Sequence, residues 1–121
     1  MAQIQLMKET LKTLEIQRDI RTGSIYVSQK MLKDAEALPE HTEGLVDMIR
    51  AIKGIEVALI FQETSGNNYR ISLRSKGKIN VDKVAREFGG GGHVNAAACI
   101  LEGDIQSVKN KLLNAIKNSW V

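Results

Sequence analysis

Residues 55–74 read IEVALIFQETSGNNYRISLR. From Ile55 to Phe61 the run is nearly all apolar, as expected of a central strand buried on both faces. The polar residues Thr64-Ser65-Gly66-Asn67-Asn68 make a hairpin turn, and Tyr69 to Arg74 returns as a second strand. Alternation with period two puts Tyr69, Ile71 and Leu73 on one face and Arg70, Ser72 and Arg74 on the other. The returning strand therefore has a core side and a basic side.

Toward the C-terminus, Asn80 can cap a helix in which Val81, Val84, Ala85 and Phe88 share a face, and four glycines follow at once. Ala96 to Leu101 (AAACIL) reads as a strand. Asp104 then caps a last helix with Ile105, Val108, Leu112 and Ile116 on its buried side. Toward the N-terminus, Gly54 ends a helix that Thr42 caps and that Leu45, Ile49 and Ile52 line. Before it, Ser24 to Ser28 reads as a strand, and Ser28 caps a short helix carrying Met31, Leu32 and Ala35, which ends at Leu38-Pro39. Ile4, Met7, Leu11 and Leu14 predict an amphipathic helix over residues 3–16. The sum is an α/β chain with a mixed sheet of about four strands and helices packed on it.

A length of 121 residues suits a single small domain. The aromatic share of 4% makes the core mainly aliphatic and leaves little stacking surface. Cys99 is the only cysteine, so neither an internal disulfide nor a four-cysteine zinc site can form. No cluster of His, Asp or Cys with metal-ligand spacing is visible, which argues against metal-dependent catalysis by this chain alone. The first twenty residues scatter charge among apolar positions, unlike a signal peptide or a membrane span. A soluble, cytoplasmic protein with no membrane partner is the expectation.

The net charge of +3 is unevenly placed: residues 70–87 carry six basic side chains against Asp82 and Glu87. Such a run is either a solvated face or a site for anions. Beside it stands Gly89-Gly90-Gly91-Gly92-His93. Ordering glycine costs about 0.5–1 kcal/mol more than ordering alanine, so four in a row need a reason. One reason is a mobile loop or extended helix cap. The other is a backbone that approaches a phosphate closely, with several N–H groups aimed at it. The run is neither a P-loop nor a dinucleotide fingerprint, since no Gly-Lys-Ser/Thr follows and the glycines close a helix instead of opening one. His93 could donate to a phosphate oxygen, with Asn95 on the same side if the chain is extended. His41 reads as a surface residue.

Arg74-Ser75-Lys76-Gly77, then Asn80-Val81, a short helix, and Phe88 to Ala97 (FGGGGHVNAA) resemble the DHH-associated C-terminal domain of DHH phosphoesterases. The likeness spans about Ile25 to Ile116, is nearest the bifunctional oligoribonuclease and PAP phosphatase (nanoRNase) group, and includes Glu43 to Asp47 (EGLVD). Ala98 departs from the family, which commonly has glycine there. The resemblance implies a two-domain phosphoesterase in which residues 1–20 connect to an N-terminal DHH domain of the same polypeptide. Residues 21–121 would be the substrate-binding domain.

By the same resemblance, Mn2+ belongs to the DHH domain, and this chain holds no cofactor and no catalytic residue. Arg74 would be the main phosphate clamp, Gly90, Gly91 and Gly92 the backbone cradle, and His93 a loop donor, with Lys76, Ser72 and Asn95 in lesser roles. Short RNA or 3′-phosphoadenosine 5′-phosphate is the implied substrate, and the apolar face of the first helix is a candidate surface for a homodimer. A cyclic-dinucleotide phosphodiesterase keeps the same fold and remains open, because Gly77 to Val81 also suits that group. A stand-alone nucleic-acid-binding module also remains open, although Tyr26 and Tyr69 are the only candidate stacking residues.

Overall fold

The structure is a computed structural model that describes residues 2–120. Met1 and Val121, the outer ends of the two segments expected above, lie outside the described residues. The elements run α1 (Ala2–Leu11), β1 (Glu15–Gln17), β2 (Thr22–Val27), α2 (Gln29–Asp34), α3 (Glu43–Arg50), β3 (Val57–Ser65) and β4 (Asn68–Ser75). They continue as α4 (Val81–Arg86), β5 (Gly91–His93), β6 (Ala96–Glu102) and α5 (Ile105–Ser119). The strands form one mixed sheet in the order β1-β2-β3-β4-β6-β5, with β2 and β3 parallel and every other pair antiparallel. The α/β architecture is as read from the sequence, but the sheet has six strands, not four.

β3 is central because it is apolar on both sides. Val57, Leu59 and Phe61 join Tyr69, Ile71 and Leu73 of β4 in a layer closed by Val81, Val84 and Ala85 of α4 and Val108, Leu112 and Ile116 of α5. Ala58 and Ile60 point the other way, into a layer with Leu6, Ile25, Val27, Leu32, Leu45, Val46 and Ile49. The chain thus carries a hydrophobic layer on each face of its own sheet. Ser28, Asn80 and Asp104 cap α2, α4 and α5 as expected, each accepting from the backbone N–H three residues on.

Three local expectations fail, two of them because a contact distant in sequence outweighs a local pattern and one because a side chain bonds a nearer carbonyl. The first helix stops at Leu11 instead of running to residue 16. Thr13 donates its hydroxyl to the Thr10 carbonyl at 2.6 Å and accepts the Tyr26 N–H at 2.8 Å, which ties the chain to β2 and lets residues 15–17 pair there as a strand. The buried face of α1 consequently centres on Leu6 and Thr10, leaving Ile4 62% exposed and Leu11 39% exposed. Thr42 does not cap α3, because its hydroxyl donates to the Pro39 carbonyl at 2.8 Å. Ile52 lies beyond the end of α3, and the buried stripe is Leu45, Val46 and Ile49.

The third failure is β5, where the glycine run predicts a loop and the structure has a strand. Glycine has low strand propensity, so the pairing of Gly91, Gly92 and His93 with Ala98, Ala97 and Ala96 is set by β6 and not by local preference. Backbone strain also occurs at Arg21, which sits at φ +49° as the residue closing a 3-10 turn over Arg18–Ile20. A left-handed backbone costs a residue with a Cβ about 1–2 kcal/mol.

Candidate functional site

The basic side of β4 faces α3. Glu43 and Asp47 are four apart on that helix, so they share one face and meet the arginines. Arg74 is 17% exposed; its Nη2 donates to Glu43 Oε2 at 3.1 Å, its Nη1 donates to the Leu73 carbonyl at 3.1 Å, and its Nε stands 3.7 Å from Asp47 Oδ1. Arg70 is more open, 3.8 Å from Glu43 Oε1. Arg74, for which the resemblance implies a phosphate contact, is thus oriented by carboxylates. Glu43 is about half exposed, so its pairing contributes about 1 kcal/mol or less.

The glycine run turns out to be a helix stop followed by a hairpin strand. Gly89 adopts φ +82°, which ends α4, and the Gly90 N–H donates to the Ala85 carbonyl at 2.9 Å. A Cβ at Gly90 would overlap the Ala98 carbonyl oxygen and come within 2.8 Å of Cys99 Cα; one at Gly92 would come within 2.6 Å of Ala97 Cα. Close approach of β5 to β6 is thus one physical reason for these glycines.

Asp82, absent from the expected site, holds the hairpin. Its Oδ1 accepts the Gly92 N–H at 2.9 Å, and both its oxygens lie 3.0 Å from Arg86 Nε. Those two contacts, the Gly92 N–H first, lower the Asp82 pKa, with His93 adding in the same direction. A depressed carboxylate contributes stability above its ordinary titration range and loses it as pH falls through the lowered value. We expect the Gly92 amide resonance to follow Asp82 in an acid titration, with a midpoint below the usual aspartate value. Asp82→Asn should remove that titration; a Gly92 resonance that titrates unchanged in the variant would refute the contact.

The Gly90 and Gly92 N–H groups are thus engaged within the chain, so the expected cradle of three free donors is largely committed. What the hairpin offers is a surface without side chains. A shallow depression of about 230 Å³ is lined by Arg70, Arg74, Gly91, Gly92 and Ala96 to Ala98. A second, of about 220 Å³, adjoins it across Arg70 and Ala98 and is lined by Phe88, Gly89, Gly90, Cys99 and Ile100. Burial pushes the Cys99 thiol up to about 11, so it is no nucleophile near neutral pH.

The remaining expected residues separate. Ser72 lies between the arginines, opposite Ala98, and His93 is exposed at the end of β5 in the cross-strand row His93, Ala96, Arg74. Asn95 does not follow His93 along an extended chain: Val94 and Asn95 form the turn of the hairpin, so the alternation argument fails there. Lys76 leaves the site altogether, its Nζ donating to the Ile52 carbonyl at 3.1 Å. Ser75 and Glu56 were also missed. The buried Ser75 hydroxyl donates to the Ile79 carbonyl at 2.7 Å, while its N–H donates to the Asn95 carbonyl at 3.0 Å, which joins the end of β4 to the hairpin turn. The spacing of Glu43 and Asp47, and of Asp82 and Arg86, was the available signal for the acidic members.

Residues 23–119 match the DHHA1 domain. The chain belongs to this family. It is the family that the Arg-Ser-Lys-Gly and glycine–histidine motifs resemble. The DHHA1 domain described here is 30% identical over 114 residues to the bifunctional oligoribonuclease and PAP phosphatase NrnA of Thermus thermophilus, covering 93% of this chain and 33% of that protein. It is 31% identical over 123 residues to the cyclic-di-AMP phosphodiesterase PdeA of Listeria monocytogenes, covering 96% of the chain and 19% of that protein. An exopolyphosphatase-related protein from Bacteroides fragilis shares the fold, with a TM-score of 0.87 at 24% identity over 97% of this chain and 34% of that one. This DHHA1 domain therefore spans a third or less of the curated relatives it matches. Among the described residues no helix is long and apolar enough to cross a membrane.

Proposed function

We propose that this DHHA1 domain is the substrate-binding part of a two-domain, manganese-dependent phosphoesterase of the cytoplasm. It would present short oligoribonucleotides or 3′-phosphoadenosine 5′-phosphate to a DHH domain of the same polypeptide. The observation that carries the reading is the Arg74 guanidinium, largely buried yet lining a depression whose opposite wall is bare glycine backbone. An arginine fork held in place and a wall without side chains suit a phosphate better than a neutral ligand. The likeness to NrnA favours these substrates.

Manganese does not fit the residues present. Glu43 and Asp47 are paired with arginines, Asp82 is bound to Gly92 and Arg86, and among the described residues no three His, Cys, Asp or Glu converge. No chemical step is assigned to this chain; its residues bind and orient. A base-stacking nucleic-acid module is disfavoured, because Tyr69 is 4% exposed and Tyr26 packs against it in the core.

Titration of the chain with 3′-phosphoadenosine 5′-phosphate should give weak binding that falls with salt. Arg74→Ala should weaken it by about tenfold to a hundredfold, the loss expected for a charge-assisted contact to phosphate. Unchanged affinity in both Arg74→Ala and His93→Ala would remove the assignment. The likeness to PdeA favours a second reading, with a cyclic dinucleotide as substrate. Competition between cyclic di-AMP and a diadenylate for the complete protein separates the two.

A further inference from the structure

At the opposite end of α3 from Glu43, a depression of about 320 Å³ is lined by Ile16, Arg18, Arg21, Ile52, Lys53, Gly54 and Ile55. It shares no lining residue with the two depressions at the glycine hairpin. Arg18, Arg21 and Lys53 make no ion pair among the described residues, while most of the arginines elsewhere on the domain are paired with carboxylates. The only nearby acid in the same turn, Asp19, does not line the depression. Lys76 adds a fourth cation at the rim, where its Nζ reaches the carbonyl of the wall residue Ile52. The other side of the depression is apolar: Ile16 is 45% exposed and Ile52 36% exposed, above the buried Ile55.

Arg21 shows the most preparation. Its backbone is held in the left-handed region, its Nε donates to the Gly54 carbonyl at 3.1 Å, and its guanidinium lies over the Trp120 ring, 5.7 Å from the centroid. Trp120 is in turn fixed by donating its indole N–H to the Ile20 carbonyl at 2.9 Å. The guanidinium is thus oriented from two sides while its Nη atoms have no hydrogen-bond partner among the described residues. A strained residue whose fork is pre-aligned without an acceptor is arranged for an anion that comes from outside the chain.

We propose that this depression is a second ligand site, which takes a nucleoside monophosphate with its phosphate on Arg18, Arg21 and Lys53 and its base against Ile16 and Ile52. The volume is that of a small-ligand pocket, and unpaired cations opposite an apolar wall match a molecule with one anionic and one flat, weakly polar end. The site stands independently of the role given to Arg74.

Trp120 is the only tryptophan and touches Arg21, so the protein carries its own reporter. Adenosine 5′-monophosphate is expected to change Trp120 emission saturably and to shift the amide resonances of Arg18, Arg21, Lys53 and Gly54. Inorganic phosphate should bind about tenfold more weakly, and adenosine should give no signal. The double variant Arg18→Gln/Lys53→Gln changes exposed side chains, so it should keep the fold by circular dichroism while losing about tenfold or more in affinity. Arg74→Ala should leave the Trp120 signal unchanged. No emission change with adenosine monophosphate, equal affinity for inorganic phosphate, or full affinity in the double variant would each overturn the proposal. Loss of the Trp120 signal in Arg74→Ala would return the ligand to the hairpin site.

Discussion

Glu56→Ala is expected to lower stability by about 3 kcal/mol, and the melting temperature by about 10 °C for a domain of this size. The side chain is 1% exposed, and its Oε2 accepts the N–H groups of Lys78 at 2.8 Å, Lys76 at 3.2 Å and Ile79 at 3.3 Å. Alanine removes the acceptor, leaves the Lys78 and Ile79 N–H groups short of a partner while Lys76 keeps its bond to the residue-56 carbonyl at 3.0 Å, and opens a void beneath the turn. The turn follows Arg74 directly, so binding at the arginine face should weaken together with stability. Thermal melting and a phosphate titration on the same sample check both; a fall of less than about 2 °C would contradict the role given to Glu56.

Gly90→Val should be comparably damaging, by about 3 kcal/mol, through steric overlap instead of lost bonding. Any Cβ at residue 90 overlaps the Ala98 carbonyl and lies 2.8 Å from both Cα and Cβ of Cys99, so β5 must separate from β6 or the strand must bend. The depression between Arg74 and the hairpin would be lost with it. Gly91→Ala is the matched control: the nearest neighbours of its Cβ would be side-chain atoms of Asp82 and Arg86, 3.3 Å and more away, with no overlap of strand backbone, and the effect should be smaller. Faster amide exchange along β6 in Gly90→Val, and near-native exchange in Gly91→Ala, are the expected results. Equal exchange in the two variants would show that close strand contact does not explain the glycine at residue 90.

These two residues show where a sequence reading reaches and where it stops. Glu56 is the single charged residue in a run that otherwise reads as buried strand, and only the turn brought back over it by β4 reveals what its carboxylate bonds. The glycines were legible as a feature in need of a reason, but their partner strand lies across a hairpin. By contrast, β3, β4, β6, α4 and α5 were readable because apolar periodicity and cap residues are local signals. The first helix misled for the same reason, since its periodicity continued past Thr13 while a contact to β2 ended it.

For the candidate site, the chain order alone places Arg70, Ser72 and Arg74 on one side of a strand and puts a glycine run within the same domain, because alternation and composition need no partner. Which carboxylates hold Arg74, which N–H groups of the hairpin are already engaged, and where Lys76 points are settled by neighbours distant in sequence. The physical reason is that a side chain's direction follows from its own backbone, whereas its bonding partner is whichever group the packing of α3, α4 and the sheet brings within about 3 Å.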